Sequence, residues 1–159
     1  MTPLDKLRYL VLAAQRDGNR ALAAALASTG LTPAQAEAVR VLADHGPLSL
    51  TALGELLVCE AGTNPSRLVD KVVAAGLVER TGDAGDRRRV TLQLTDAGRT
   101  MAEHVVSAEQ ALAAALTDRL AAVPGGVPDV SGLIGLLEAL TAGMPAGEAY
   151  RRRAELANR

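Results

Sequence analysis

The stretch Thr63 to Gly76, TNPSRLVDKVVAAG, decides how the rest of the chain is read. Asn64 followed by Pro65 is a helix-start signal: a side chain that accepts from a free backbone N–H, then the residue whose missing N–H does no harm at the first helical position. Gly76 is a stop signal, because glycine enters the left-handed conformation without a Cβ clash. On a period of ~3.6 residues, Leu68, Val69, Val72 and Val73 fall on one side. Thr63, Asn64, Arg67, Asp70 and Lys71 fall on the other. A helix this short does not hold together alone in water, so its apolar side must dock on a scaffold. Its outer side then presents hydrogen-bonding groups and two cations. This is the outline of a helix that lies in a DNA groove. An ordinary amphipathic surface helix has the same outline, and the neighbouring segments separate the two.

Upstream, Thr32-Pro33-Ala34-Gln35 is a capping box with proline at the first helical position. It predicts a helix over 33–45 with Ala36, Val39, Val41 and Leu42 turned inward. Leu48-Ser49-Leu50 reads as a brief extended piece, and Thr51 as the start of a third helix running to about Val58. Cys59 to Gly62 is the turn into Thr63–Gly76. Helix, short turn with glycine, helix is the helix-turn-helix arrangement. Downstream, residues 77–81 are strand-like, 82–86 form a turn, and Arg87-Arg88-Arg89 leads into Val90-Thr91-Leu92-Gln93-Leu94, which alternates on a period of two. A two-stranded ribbon directly after such a helix is the wing of a winged helix-turn-helix. Arginines there face the DNA backbone or a minor groove; a solvated hairpin tip is the plainer reading of the same run. Asp83 and Asp86 would repel phosphate, so they are assigned to bracing the wing arginines.

The flanks are helical. Leu4, Leu7, Val11 and Ala14, then Leu22, Ala25 and Leu26 after Gly18, predict one long helix over 3–29. A helix of that length needs a partner along all of it, which points to a second subunit. Thr95-Asp96-Ala97-Gly98 opens another long helix to about Val123, with Met101, Val105, Ala108, Leu112, Leu116 and Leu120 as its stripe. A break at 124–128 precedes a helix over 129–142, and a polar helix over 146–157 ends the chain. The fold class expected is mainly α with a small β wing: a winged helix-turn-helix at 31–100 between N-terminal (1–30) and C-terminal (101–159) dimerisation helices.

Apolar residues make up 48% of the 159, but the aromatic share is 1%, two Tyr with no Phe or Trp. The core must therefore be Leu, Val and Ala. Net charge is −1, yet residues 61–100 carry seven cations against five anions, while both flanks are net acidic. A local patch, not net charge, would meet phosphate. One Cys excludes an intrachain disulfide framework, and two His with one Cys make no convincing zinc site. No stretch approaches the ~20 apolar residues of a membrane span. The N-terminus lacks a signal-peptide pattern, so the chain reads as cytoplasmic. No nucleophile–base motif or phosphate loop appears, so neither catalytic residues nor a cofactor are expected. Cys59 reads as ordinary packing in preference to a redox sensor, and His45 and His104 as surface or helix-end residues.

Taken in order, Leu31-Thr32-Pro33-Ala34-Gln35, Ser66-Arg67-Leu68-Val69-Asp70-Lys71, Ala75-Gly76-Leu77-Val78-Glu79-Arg80, the Asp83–Arg88 stretch and Leu94-Thr95-Asp96-Ala97-Gly98 resemble the MarR family of bacterial transcriptional regulators. The resemblance covers roughly residues 31–100; the outer helices match in layout only. It implies a homodimer built from the first and last helices, a recognition helix in the major groove, a wing reaching the minor groove, and often an effector that weakens DNA binding. The chain departs from the family at Gly62 and Pro65, where small hydroxyl residues are usual, and at Gly85, where arginine is common.

The candidate DNA-binding residues are thus Thr63, Asn64 and Ser66, for bases or nearby phosphates, with Arg67, Lys71, Arg87, Arg88 and Arg89. Arginine can read guanine and asparagine can read adenine with paired hydrogen bonds, but a cation can equally grip phosphate, which carries no sequence information. Arg67 stays between the two. The function expected is a sequence-specific regulator, a ligand-responsive repressor that binds double-stranded DNA as a homodimer on an inverted repeat. The alternative is a helical dimerisation or adaptor protein whose winged domain contacts protein. A small-molecule effector is expected between the long helices and the winged segment, held by anchors such as Arg16, Arg20 or His104. With Tyr9 and Tyr150 the only aromatic residues, a compact, partly apolar anion suits such walls better than a flat polycycle.

Overall fold

A computed structural model of the chain describes residues 1–59, 64–82, 90–124 and 129–158. Helix α1 (Pro3–Ala25) is opened by a capping box in which Thr2 and Asp5 exchange side-chain and backbone hydrogen bonds. Those bonds also hold the exposed Asp5 carboxyl below its usual range. The single helix expected over 3–29 stops sooner, and a 3-10 turn at Ala27–Thr29 follows. Helix α2 (Pro33–His45) carries the predicted box, with Gln35 N on Thr32 Oγ1 and Thr32 N on Gln35 Oε1. Strand β1 is Leu48–Ser49 and helix α3 is Leu50–Gly54. The third helix therefore differs from the expected Thr51–Val58. Ser49, not Thr51, caps it by accepting from Ala52 N at 3.1 Å, and it closes after Gly54. Leu56 and Leu57 are still buried, so that apolar run reaches the core from a turn and not from a helix.

The remaining elements are α4 (Ser66–Ala74), β2 (Val78–Gly82), β3 (Val90–Leu94), α5 (Asp96–Ala121), α6 (Val130–Thr141) and α7 (Pro145–Ala157). The expected two-stranded ribbon is a three-stranded antiparallel sheet in the order β1-β3-β2, with Leu48 opposite Leu92 on one edge and Arg80 opposite Leu92 on the other. A two-residue strand has no alternation for a sequence to show.

The core lies where α2, α4, α5 and the sheet meet. Val39, Val41, Leu53, Leu57, Val69, Val72 and Leu92 are at most 1% exposed. Every buried apolar side chain among the described residues is Leu, Val or Ala, as the composition requires. A second cluster joins Leu26, Ala36 and Val105 and seats the end of α1 against α2 and α5. Among the described residues, no helix is long and apolar enough to cross a membrane, and no three His, Cys, Asp or Glu side chains group as metal ligands.

One junction fixes the sheet and α5 to the end of α4. Gly76 sits at φ 71°, and the chain closes α4 with two reversed bonds, Leu77 N to Val72 O and Gly76 N to Val73 O, the Schellman pattern. Thr95, the cap of α5, then binds this turn twice: its hydroxyl donates to Gly76 O at 2.7 Å and its amide to Leu77 O at 3.1 Å. Gly98 lies against the same carbonyl, and a β-carbon there would overlap Leu77 O. Backbone cannot yield as a flexible side chain would. We expect Gly98→Ala to destabilise the protein by about 1–3 kcal/mol or more. Gly18→Ala, in open space on α1, should leave the urea midpoint equal or higher because alanine is the better helix former. Equal midpoints for Gly98→Ala and the wild type would refute the close approach.

Candidate nucleic-acid interface

Helix α4 has nine residues, and its cap is Pro65, one residue later than the Asn64 that the sequence suggests. Asn64 Oδ1 accepts from Ser66 N at 3.0 Å, and Pro65 already has helical dihedrals (φ −71°, ψ −9°) with its carbonyl accepting from Val69 N. The helix begins at Ser66. Leu68, Val69 and Val72 are buried and Val73 is half-buried. Asn64, Arg67, Asp70 and Lys71 are exposed, and Ser66 is half-buried. Thr63, predicted to open this row, lies outside the described residues.

The exposed row borders a concavity of about 510 Å³ whose other wall is the start of α2. Thr32 and Gln35 face Asn64, Arg67 and Lys71 across it. A helix N-terminus carries partial positive charge, so the α2 end adds to the two cations and makes the groove attractive to phosphate. Sequence reading had not placed Thr32 or Gln35 at this surface.

Asp70, the one carboxylate in the row, is neutralised by Arg80: Nη2 donates to Oδ1 at 2.5 Å, from β2 to α4. The pair bolts the wing to the recognition helix. It escaped sequence reading because the two residues are ten apart on different element types, and only the packing of α4 beside β2 joins them. Farther along the ribbon, the Thr81 and Thr91 hydroxyls lie 2.8 Å apart, and Gln93 Nε2 donates to Glu79 Oε1 at 2.7 Å. The last described wing pair is Gly82 with Val90. Arg87, Arg88 and Arg89, and the bracing Asp83 and Asp86, lie outside the described residues.

The expected effector anchors lie on the outer helices α1 and α5. Arg16, Arg20 and His104 are all exposed, Arg20 pairs with Asp17 on its own helix, and none of the three lines the concavities described here. A larger concavity of about 860 Å³ runs along α2, β3 and α5, with Arg40, Asp44, Glu79, Gln93, Arg99 and Glu103 on its walls. Arg40 bridges Asp44 at 2.7 Å and Glu109 at 3.4 Å. Burial raises the Glu109 carboxyl above its usual range, while Arg40 and then Arg153 pull it back. His45 ends α2 and is half-buried, a helix-end histidine. Cys59 is exposed, which corrects the expectation of ordinary packing; its backbone amide is bound by Glu37.

The Asp70–Arg80 pair generates a prediction. Without Arg80, the Asp70 carboxylate faces phosphate unneutralised. Arg80→Ala should weaken binding to duplex DNA of any sequence, and adding Asp70→Ala should restore part of the loss. Folding stability should move by no more than about 1 kcal/mol, since the pair is exposed. A fluorescence titration showing the double variant weaker than Arg80→Ala would contradict this.

Against this geometry, comparison with known proteins is direct. Residues 31–98 match the model of a winged helix DNA-binding domain. The HTH-type transcriptional repressor MdtR of Bacillus subtilis (strain 168) is 31% identical over 85 residues, which are 54% of each chain, so this chain spans about half the length of that relative. The reduced form of MarR from E. coli superposes with a TM-score of 0.64 at 25% identity, covering 88% of this chain and 97% of that one. A mutant MarR from E. coli complexed with operator DNA gives a TM-score of 0.69, covering 85% and 93%; at 23% identity that likeness is one of fold. The chain thus carries a winged helix DNA-binding domain at its centre, and its likeness to MarR from E. coli extends through the helices on both sides.

Proposed function

We propose that the protein is a homodimeric, sequence-specific DNA-binding regulator that represses transcription from an inverted-repeat operator. The observation that carries this reading is the exposed row of Asn64, Arg67 and Lys71 on a helix whose other side is sealed into the core. The facing α2 terminus adds a second source of positive potential. Relatives support the rest: MdtR is a transcriptional repressor, and the MarR complex contains operator DNA. In this reading residues 31–100 bind DNA, and residues 1–30 with 101–159 form the dimer.

Unsatisfied apolar surface supports the dimer. On α6, Val130, Leu133, Ile134, Leu136, Leu137 and Leu140 are each between 37 and 52% exposed. Leu4 and Leu10 on α1 and Leu116 and Leu120 on α5 are exposed too. Soluble monomers rarely leave this much contiguous apolar surface open, and a second copy that brings the same faces closes it symmetrically. Dimer geometry then sets the distance between two recognition helices, which must match half-sites ~34–36 Å apart. A small-molecule effector acts by favouring a dimer whose spacing no longer fits, and it shifts that equilibrium only by its differential affinity for the two geometries.

The test pairs sedimentation with mobility shifts on the inverted repeat beside the gene and on a random duplex. A dimer at micromolar concentration and a steep fall in affinity with salt are expected, because phosphate neutralisation releases counterions. Asn64→Ala should narrow the preference for the operator by about 1–3 kcal/mol, the worth of a base contact. Salt-insensitive or absent binding to every duplex would replace the DNA reading with a protein-binding adaptor. A monomer would remove the inverted repeat.

A further inference from the structure

A carboxylate that no DNA contact uses holds the segment that follows α3. Glu37, midway along α2, is only 9% exposed. Its Oε1 accepts from Val58 N at 2.8 Å and its Oε2 from Cys59 N at 2.8 Å. These two amides belong to the segment that leaves α3 for α4. The third donor comes from 116 residues away: Arg153 Nη1, on α7, reaches Oε1 at 3.0 Å. One buried carboxylate therefore joins α2, the lead-in to α4 and the last helix.

Helix α7 is seated for this contact. Ala149, one turn before Arg153 on the same side, is 3% exposed. Pro145, Ala149 and Arg152 wall a concavity of about 530 Å³ against Gly54, Asn64 and Pro65, at the start of α4. The other side of α7 meets α6, where Tyr150 Oη donates to Glu138 Oε1 at 3.3 Å. Arg152 bonds Glu55 at 2.9 Å, but both side chains are about half exposed and such pairs contribute little. Arg153–Glu37 differs because the carboxylate is buried. A buried ion that loses its counter-charge is under-compensated and draws in water, which competes with the Val58 and Cys59 amides for its oxygens.

We propose that Arg153, acting through Glu37, is a positioning residue for DNA binding, and that α7 is a strap that fixes the turn leading into the recognition helix. The proposal rests on the DNA-binding reading above. Because α7 follows the apolar α6 directly, the strap also ties that turn to the proposed subunit interface, so a change in dimer geometry pulls on the start of α4 without any contact to DNA.

The test uses the full chain with Arg153→Ala, Arg153→Lys and Arg152→Ala. The two alanine variants remove the same charge from adjacent positions, so a loss common to both is only the long-range field. Affinity for the operator duplex is measured beside amide exchange at Val58, Cys59 and residues 66–74, and beside thermal stability. Arg153→Ala should bind about tenfold more weakly, a normal size for coupling carried through packed elements. It should exchange faster at those amides and leave α2 and α5 unchanged. Arg153→Lys should recover most of the affinity, and Arg152→Ala should stay within about twofold of the wild type. Equal affinities for the two alanine variants, or faster exchange throughout the protein, would overturn the proposal. If the wild type bound no duplex at all, the DNA reading would fall, and exchange at Val58 and Cys59 would decide the positioning role alone.

Discussion

A nine-residue helix has no stability of its own in water, and α4 exists because its apolar side is buried. Leu68, Val69 and Val72 enter the cluster that holds Val39, Leu42, Leu53, Leu57 and Leu92. Each such side chain contributes about 1.5–3 kcal/mol on burial, several times what the helix's own propensity could supply. The arrangement of the domain follows from this need. Helix α2 supplies the wall, the Gly76 turn swings the chain into the sheet, and Thr95 with Gly98 brings α5 down on that turn. In exchange, the backbone that carries Asn64, Arg67 and Lys71 is fixed with these side chains turned outward.

Electrostatics in this chain are local. A protein of net charge −1 has no long-range attraction to DNA, so the positive groups work by placement. The one acidic side chain in the recognition row is tied to Arg80, and the acid in the core is tied to Arg153 and two amides. The acidic flanks also limit indiscriminate adhesion to phosphate, the sequence-independent part of DNA affinity. Such a protein relies on correct geometry between helix and wing more than a strongly basic one does.

Local signals were legible in the sequence and long-range ones were not. Gly76, Thr32 to Gln35 and Thr95-Asp96 are start and stop chemistry written within a few residues, and each acts as read, whereas at Asn64-Pro65 the cap falls one residue later, on Pro65. The period of the apolar residues placed Ala36, Val39, Val41 and Leu42 of α2 and Leu68, Val69 and Val72 of α4 inward, where they are buried. The third helix was overextended because Leu56 and Leu57 are core residues in a turn, and burial alone does not distinguish a turn from a helix. Strand β1 was too short to alternate. Glu37 was passed over because a charge looks like surface, although its place one turn before Val41 puts it on the inward side. Asp70–Arg80 and Glu37–Arg153 depend on how elements pack.

The absence of large aromatic side chains bears on how motion travels. Phe and Trp anchor an interface with a few large contacts; Leu, Val and Ala spread the same burial over many small ones. Sliding one helix past another then repacks many weak contacts and breaks no dominant one. On α6 the exposed residues are of this small aliphatic kind, whereas α7 meets the winged domain through Ala149 and the Arg153–Glu37 pair. Aliphatic surfaces tolerate small changes of angle, but a buried Arg–carboxylate contact is sensitive to a shift of an ångström, because its strength depends on geometry and exclusion of water. In the proposed dimer, a compliant α6 surface joined to a stiffer Arg153–Glu37 contact is an arrangement that would pass small adjustments between subunits to the segment after α3.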